Sequence, residues 1–403
     1  MGRLLAVALI VVLAVAYVVV QVVRAVPAVT ATASLTARAT TLPGTPVSLT
    51  WPSQGESAIG IEGGGLLGTA GAQSATPLAS VTKLMTAYVV LRDHPLQPKA
   101  SGPSINVTPA DVTTYEQDRQ AGDSVVMVQA GEQLSELEAL EALLIPSGDN
   151  VATLLADWDA GSEAAFVARM NVEASRLGLA DTHYADSSGV APGTYSTAES
   201  QVKLAMLDMS IPTFRAVVDM TQVTLPVAGL QYNVDALLGK DGIVGVKTGY
   251  TSAAGGCFVF AAVSKVDGKP VTLIGAILHQ LGTVSQPSAL TDTFDATTAL
   301  VTGAVHSLVH ATVVHPGEVM GELDAPWTGS VSLVATRRVA TSGLPGERVS
   351  TSVVLPTTVR APVPAGHRLG TAVVAAGGQR FTVPLVTARA LPPVSLGWRL
   401  TNV

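Results

Sequence analysis

The hydrophobic pattern begins with a nearly unbroken apolar stretch from Leu4 to Val23, with Arg3 before it and Arg24 after it. About 20 apolar residues are enough for a helix to cross the hydrocarbon core of a bilayer. A cleaved signal sequence usually has a shorter apolar centre, of about 7 to 15 residues. The pattern therefore favours a retained anchor over residues 1–24, and cleavage near Ala31-Thr32-Ala33 stays open as the alternative.

Between about Thr50 and His310, short β-like runs alternate with stretches of helical spacing. The helical stretches are Ser80–Leu91, Leu134–Leu144 and Glu163–Leu177, and a proline or a glycine follows the last two. Mixed signals of this kind predict an α/β or α+β enzyme domain.

The pattern changes after about Ala311 to short Val/Thr-rich runs that proline and glycine separate. Regular short strands with turn residues between them predict a small all-β domain, a sandwich or a barrel. The runs that we interpret as strands are Val331–Ala335, Val349–Leu355, Gly370–Ala375 and Arg380–Val386.

These patterns divide the chain into five parts. Residues 1–24 are the anchor or signal segment, and residues 25–49 are an Ala/Thr/Pro-rich linker to which we assign no fold. Residues 50–310 form the domain that contains the candidate chemistry. Residues 311–390 form the all-β domain, and residues 391–403 are a loose tail.

Composition excludes several classes of function. The net charge of -7 and the lack of a Lys/Arg cluster argue against nucleic-acid binding. Cys257 is the single cysteine, so no intramolecular disulfide can form, and its apolar surroundings predict a buried strand. His306 and His310 have metal-ligand spacing on a helix, but no third ligand is close in sequence, and we expect no metal or cofactor.

The first candidate motif is Ser80-Val81-Thr82-Lys83, at the start of a predicted helix. A spacing of three places both polar side chains on one helical face, so that the amine can reach the hydroxyl. Serine is a poor nucleophile until a base removes its proton, and a lysine can be that base. Alone, the pattern is weak because it occurs by chance in most long proteins.

Two further motifs follow. Ser147-Gly148-Asp149-Asn150 lies between two predicted helices, where it can present Ser147 as a proton relay, cap the following helix, or do both. Lys247-Thr248-Gly249 lies in a β-like run in which glycines leave room for a ligand, and Lys247 and Thr248 could bind a carboxylate. The order of the three motifs, roughly 65 and then 100 residues apart, matches penicillin-binding proteins and β-lactamases.

On these motifs the sequence resembles the low-molecular-mass D-Ala-D-Ala carboxypeptidases, the peptidase S11 family, and particularly its actinobacterial members. Further matching phrases are Pro77–Lys83, Ala130-Gly131-Glu132 and Ala185–Gly189. The resemblance implies a penicillin-binding/β-lactamase-like serine transpeptidase fold, of α/β (α+β) class, with a small all-β C-terminal domain.

The resemblance also implies roles for individual residues. Ser80 would form the acyl-enzyme, Lys83 would act as base, and Ser147 would move the proton, while the backbone N–H groups of Ser80 and Tyr250 would hold the oxyanion. The substrate would be a peptidoglycan stem peptide ending in D-Ala-D-Ala, outside the cell membrane, and β-lactams would inhibit. The residues that this assigns to substrate binding are Asp149, Lys247, Thr248, Gly249 and Tyr250.

One position departs from the family pattern, because the second motif of the family is Ser-x-Asn and here the third residue is Asp149. An ionised carboxylate accepts hydrogen bonds but donates none, and it favours the charged form of Lys83. Either Asp149 is tolerated, or Asn150 substitutes through a shifted turn, or the protein is a slow or degenerate enzyme.

Two rival functions stay open. The first is a non-catalytic penicillin-binding protein of the cell wall. The second is a β-lactamase, which is disfavoured because no Glu-x-x-Leu-Asn phrase lies between Asn150 and Lys247 to supply a base for deacylation. A polar cluster from Tyr115 to Arg119 is interpreted as a solvated loop in preference to the wall of a substrate groove.

Overall fold

The computed structural model describes residues 2–34, 38–282, 286–376 and 379–402. The chain forms two compact units. The catalytic unit is Thr45–Val309 with Ser342–Pro345, and the β unit is Met1–Gly44, His310–Thr341 and Gly346–Val403.

The described residues form helices and strands in the following chain order. The α-helices are α1 (Gly2–Val23), α2 (Lys83–Asp93), α3 (Pro109–Ala121), α4 (Glu136–Leu144), α5 (Asp149–Ala160), α6 (Glu163–Arg176), α7 (Ala198–Ser210), α8 (Pro212–Val218), α9 (Gln286–Ser307) and α10 (Leu396–Thr401). The strands are β1 (Val29–Ala33), β2 (Arg38–Thr41), β3 (Glu56–Ile61), β4 (Leu66–Ala70), β5 (Thr76–Pro77), β6 (Ser104–Asn106), β7 (Gln133–Ser135), β8 (Tyr195–Ser196), β9 (Gln222–Leu225), β10 (Gly229–Tyr232), β11 (Ile243–Thr251), β12 (Gly255–Val266), β13 (Lys269–Gln280), β14 (Val309–Val314), β15 (Val319–Ala325), β16 (Gly329–Ala335), β17 (Val339–Gly343), β18 (Arg348–Val354), β19 (Thr358–Val359), β20 (Arg368–Ala376) and β21 (Gln379–Thr387).

The catalytic unit is built on an antiparallel sheet in the order β11-β12-β13-β3-β4, with helices on both faces. Side chains alternate along β12, so that Cys257 and Val259 face the helices of the larger core and Phe258 and Phe260 face α9. Cys257 is fully buried in this strand, as its apolar surroundings predicted. The mixed α and β architecture confirms the predicted fold class.

The helices begin close to the predicted positions, with local exceptions. A 3-10 turn, Ala79–Thr82, precedes α2, so Ser80 lies just before the α-helix proper. Helix α4 begins at Glu136 because Ser135 caps it in a reciprocal capping box with Glu138. The cluster interpreted as a solvated loop is instead part of α3, which a Thr108–Asp111 capping box starts.

The β unit contains an eight-stranded sheet in the order β19-β1-β15-β16-β21-β20-β18-β2. The four predicted Val/Thr-rich strands correspond to β16, β18, β20 and β21. The strand-rich C-terminal region was therefore predicted correctly.

The segment 25–49, to which composition assigned no fold, contributes two strands to this sheet. Strand β1 pairs with β15 on one side, where Thr30 lies opposite Asp324, and with β19 on the other, where Thr30 lies opposite Thr358. Strand β2 pairs with β18. Val and Thr favour extended backbone, and Val29 is buried, so a five-residue run is enough to pair with two strands, β15 and β19, that come from far along the chain.

Helix α7 carries a buried carboxyl group, Asp208, whose two oxygens have no hydrogen-bond partner among the described residues. Burial raises the pKa of Asp208 well above its ordinary value, so over the pH range between the two pKa values the folded state holds a proton that the unfolded state has released. The protonated Asp208 carboxyl therefore contributes to stability at acidic pH. That contribution is lost as the pH rises above the pKa of the unfolded chain, about 4.

We predict that Asp208→Asn gains stability relative to the parent protein as the pH rises. The free energy of unfolding of the variant minus that of the parent should increase by about 1.4 kcal/mol for each pH unit above about 4, until the pKa of the folded state is reached. Urea unfolding at pH 5 and pH 7 measures this difference, and Asp241→Asn, at an exposed position, is the matched control. An equal difference at both pH values would show that Asp208 does not titrate on unfolding.

Candidate active site

Ser80 and Lys83 lie together at the start of α2. Ser80 lies in the 3-10 turn and Lys83 is the first residue of α2, so that their side chains meet on the same side of the helix. The Lys83 Nζ atom is 2.8 Å from the Ser80 Oγ atom. Lys83 is fully buried, whereas Ser80 is partly exposed. An exposed hydroxyl with a buried amine behind it is the arrangement that a lysine-activated nucleophile requires.

The backbone before Ser80 is strained. Ala79 has φ +49°, in the left-handed region, at a cost of order 1–3 kcal/mol. The carbonyl of Ala79 lies so close to Gly189 that a Cβ atom on Gly189 would be 1.9 Å from that oxygen. The loop that carries Gly189 is held by the carboxylate of Asp186, which accepts hydrogen bonds from the backbone N–H groups of Gly189, Val190 and Ala191.

Ser147 lies in the turn between α4 and α5 and also has a left-handed backbone, with φ +68°. Its Oγ atom is 3.4 Å from the Lys83 Nζ atom. The residue that caps α5 is Gly148, with no side-chain cap hydrogen bond. Of the two interpretations of this motif, the structure therefore favours a hydroxyl that faces Lys83 over a helix cap.

Asp149 forms a buried ion pair with Lys83. Its Oδ1 atom accepts from the Lys83 Nζ atom, and its Oδ2 atom accepts from the backbone N–H of Ser124 at 2.9 Å. The next residue, Asn150, is turned away from Lys83, since its amide both donates to and accepts from the backbone of Val126 at 2.9 Å. Asn150 therefore does not replace the missing asparagine, and the shifted turn does not occur.

Lys247 lies in β11, is 1% exposed, and donates to the backbone carbonyl of Thr248 at 3.0 Å. Burial lowers the pKa of Lys247 to about 7, and the positive charge of Lys83 adds to this effect, whereas the carboxylates of Asp149 and Asp235 oppose it. Lys247 is therefore within electrostatic range of both members of the Lys83–Asp149 pair.

Gly249 brings β11 against the nucleophile turn. A Cβ atom at Gly249 would lie 2.9 Å from the backbone nitrogen of Ser80 and 3.0 Å from that of Val81. The next residue, Tyr250, pairs with Gly256 of β12. The structure thus gathers four of the predicted residues around one amine, namely Ser80, Lys83, Ser147 and Asp149. The other four, Lys247, Thr248, Gly249 and Tyr250, are consecutive in β11, which passes beside the nucleophile turn at Gly249.

Three acidic residues near the site were not assigned to it by the sequence. Burial, followed by the charges of Asp123 and Asp149, raises the pKa of Asp118 to about 6. Burial also raises the pKa of Asp235 to about 6, and its Oδ2 atom has no hydrogen-bond partner among the described residues. Asp118 and Asp123 come from α3 and the loop after it, so only the tertiary fold places them beside Asp149.

The described residues contain no group of three or more His, Cys, Asp or Glu side chains that could hold a metal ion. His306 lies in α9, whereas His310 lies in β14, so the two residues do not share a helix as their spacing had indicated.

Comparison with known proteins gives one family and several relatives. The profile of the D-alanyl-D-alanine carboxypeptidase family, peptidase S11, matches residues 53–278. D-alanyl-D-alanine carboxypeptidase DacD of Escherichia coli is 34% identical over 200 residues, which are 46% of this chain and 48% of that protein. The D-alanyl-D-alanine carboxypeptidase of Streptomyces sp. K15 is 34% identical over 232 residues, 53% of this chain and 76% of that protein.

Solved structures agree with these relatives. The Streptomyces K15 DD-transpeptidase has a TM-score of 0.53 and 27% identity, and the match covers 64% of this chain and 98% of that chain. Penicillin binding protein 5 of Haemophilus influenzae shares the fold over more of the chain, with a TM-score of 0.62 and 19% identity over 87% of this chain and 100% of that chain. The chain spans about half the length of the Escherichia coli relative. By the family profile and by the Streptomyces relative, this chain belongs to the D-alanyl-D-alanine carboxypeptidase family, peptidase S11.

Proposed function

We propose that the protein is a serine-type D-Ala-D-Ala carboxypeptidase that removes the terminal D-alanine from peptidoglycan stem peptides. The observation that carries this proposal is the 2.8 Å contact between the Lys83 Nζ and Ser80 Oγ atoms, with the Ser147 Oγ atom 3.4 Å from the same amine. The family to which the chain belongs supplies the substrate class. No metal or cofactor enters the reaction.

The reaction is an acyl transfer in two steps. Ser80 Oγ attacks the carbonyl carbon between the last two D-alanines, and Lys83 in its neutral form takes the hydroxyl proton. Backbone N–H groups of Ser80 and Tyr250 hold the oxyanion of the tetrahedral intermediate. Ser147 relays a proton to the leaving amine, D-alanine departs, and water hydrolyses the Ser80 ester.

Lys247 and Thr248 bind the terminal carboxylate of the substrate. The support for this is that β11 passes directly beside the nucleophile turn at Gly249. Little water competes for the N–H donors of a buried ammonium. A substrate carboxylate can therefore form a charge-assisted hydrogen bond with it. β-Lactams, which also carry a carboxylate, occupy the same place as inhibitors.

Because of Asp149, we expect the carboxypeptidase activity to be slow. Both of its oxygens already accept hydrogen bonds, from Lys83 and from the Ser124 backbone, so position 149 offers the substrate no donor. In the ion pair with Asp149, Lys83 donates an N–H to the carboxylate, and an ammonium held in this way cannot take a proton from Ser80. The contact between Asp149 and Lys83 also favours a second candidate function, that of a cell-wall protein that binds penicillin without turnover.

Residues 1–24 act as a retained anchor that holds the protein on the outer face of the cell membrane, where peptidoglycan lies. Helix α1 is the one described helix that is long and apolar enough to cross a membrane. Cleavage near Ala31-Thr32-Ala33 would cut through β1, which is paired on both sides within the sheet of the β unit. The fold of the β unit therefore favours the anchor over a cleaved signal.

We predict that Ser80→Ala abolishes covalent labelling by a fluorescent penicillin, because Ser80 is the nearer and the more exposed of the two hydroxyls, Ser80 and Ser147, that contact Lys83. The change should leave the free energy of unfolding within about 1 kcal/mol of the parent protein, as for most changes outside the core. Ser53→Ala, at an exposed serine of the same unit, is the matched control and should label normally. Persistent labelling of a folded Ser80→Ala protein would refute the assignment.

We predict that Asp149→Asn leaves acylation and turnover at neutral pH unchanged or raises them, since an amide removes the carboxylate that pairs with Lys83 and can donate to the substrate. Stopped-flow acylation by penicillin and release of D-alanine from a D-Ala-D-Ala peptide measure the two steps. Asp241→Asn is the control for loss of one negative charge. A tenfold loss, about 1.4 kcal/mol of barrier, would show that Asp149 itself assists the reaction.

We predict that kcat/KM for a D-Ala-D-Ala peptide falls as the pH rises through about 7, because the Lys247 ammonium that binds the carboxylate is lost there. The decrease should approach tenfold for each pH unit above the pKa of Lys247. A matched peptide that ends in a carboxamide has no carboxylate to bind and should lack this decrease. A pH profile that is the same for both peptides would contradict the role of Lys247.

A further inference from the structure

The amine of Lys247 is buried in β11 with few groups to hold a positive charge. The residue is 1% exposed, and among the described residues its Nζ atom has one hydrogen-bond acceptor, the carbonyl of Thr248 at 3.0 Å. An ammonium has three N–H donors, and a buried charge without a partner is unstable. Lys247 can bind a carboxylate only while it is charged. Another group in the fold must therefore stabilise the ammonium before a substrate arrives.

Two carboxylates act on the charge of Lys247, those of Asp149 and Asp235. Asp149 is already engaged, because its two oxygens accept from the Lys83 amine and from the Ser124 backbone. The positive charge of Lys83 opposes a second positive charge at Lys247. The Lys83–Asp149 pair thus offers Lys247 no net charge, and Asp235 is the remaining counter-charge among the described residues that act on this amine.

The Asp235 carboxylate lies in the loop between β10 and β11 and is fixed by local hydrogen bonds. Its backbone N–H donates to the Asn233 Oδ1 atom at 2.9 Å, and its own Oδ1 atom accepts from the Leu237 N–H group at 2.8 Å. The Val234 N–H group donates to the carbonyl of Ile145 at 3.3 Å. This last bond ties the loop to the end of α4, just before the turn that leads into α5.

The second oxygen of Asp235 is free of such bonds. The residue is 7% exposed, and its Oδ2 atom is buried without a hydrogen-bond partner among the described residues. A buried carboxylate oxygen of this kind needs a positive charge to balance it. The positive charges that act on it are those of Lys247 and Lys240, and Lys240 is exposed and donates to the Ala236 carbonyl at 2.8 Å. The buried amine of Lys247 is therefore the group that this oxygen stabilises.

We propose that Asp235 is a positioning residue of the active site, whose buried carboxylate keeps Lys247 in the ammonium form that binds the terminal carboxylate of a substrate. Asp235 acts through Lys247 and does not touch the substrate. The inference rests on the proposed role of Lys247 as the group that binds a carboxylate. It applies equally to a peptide and to a penicillin, because both carry that group.

The effect of Asp235 depends on pH in a direction that can be worked out. Burial raises the pKa of Asp235 to about 6, so below that pH the carboxyl is neutral and an amide in its place changes little. Above that pH the carboxylate raises the pKa of Lys247, so its removal moves the loss of the ammonium to lower pH. Asp235→Asn should therefore weaken binding of a carboxylate at about pH 8 and leave it unchanged at about pH 5.5.

The rate of acylation of the full chain by a penicillin, measured at these two pH values, tests the inference. At the higher pH the rate for Asp235→Asn should be about threefold or more below that of the parent protein, and at the lower pH the two rates should agree within about twofold. Asp241→Asn removes an exposed carboxylate from the same loop, and this matched control should behave like the parent protein at both pH values. The methyl ester of the same penicillin lacks the negative charge, so Asp235→Asn and the parent protein should react with it alike.

A second variant separates the charge of Asp235 from its hydrogen bond. Asp235→Ser keeps an oxygen for the Leu237 N–H group but removes the charge, so it should show the same loss at the higher pH alone. No loss, a loss that is equal at the two pH values, or a loss that is equal for the penicillin and its methyl ester would overturn the inference. Release of D-alanine from a D-Ala-D-Ala peptide by the parent protein tests the proposed carboxypeptidase separately, because acylation alone reports on Lys247.

Discussion

The site depends on one buried ammonium or amine group, Lys83 Nζ. Four oxygen atoms surround it, from Ser80, Ser147, Asp149 and the backbone of Ser188. A charged amine excluded from water is stable only if protein groups replace its hydration, so each of these segments must come to the same point. The nucleophile turn, the turn before α5 and the loop that carries Gly189 are positioned by this requirement.

Strained backbone accompanies that convergence. Ala79 and Ser147 both have left-handed φ values, one beside the nucleophile and one at the proton relay. Such conformations persist only where the surrounding structure fixes them, and here the surroundings are close-packed glycines, Gly189 against the Ala79 carbonyl and Gly249 against the Ser80 nitrogen. Side-chain chemistry and backbone strain are therefore parts of one arrangement.

The sequence was informative where a short-range rule applies. A spacing of three predicts that Ser80 and Lys83 share a face, and the apolar run around Cys257 predicts its burial in a strand. The sequence did not predict contacts between residues that are distant in the chain. The pairing of β1 with β15 and β19 depends on residues about 300 positions away. The orientation of Asn150 toward Val126, and the docking of α10 on α1, are likewise set by tertiary contacts that no local pattern encodes.

The most direct test of the central claim is to count D-alanine released per molecule of protein from a D-Ala-D-Ala peptide, with intact-mass detection of the Ser80 ester in the same sample. We expect many equivalents of D-alanine for each protein molecule, at a rate limited by the Asp149–Lys83 contact, and a small steady population of acyl-enzyme. Release that stops at one equivalent, with the ester persisting, would contradict a carboxypeptidase and would assign the protein to acylation without turnover.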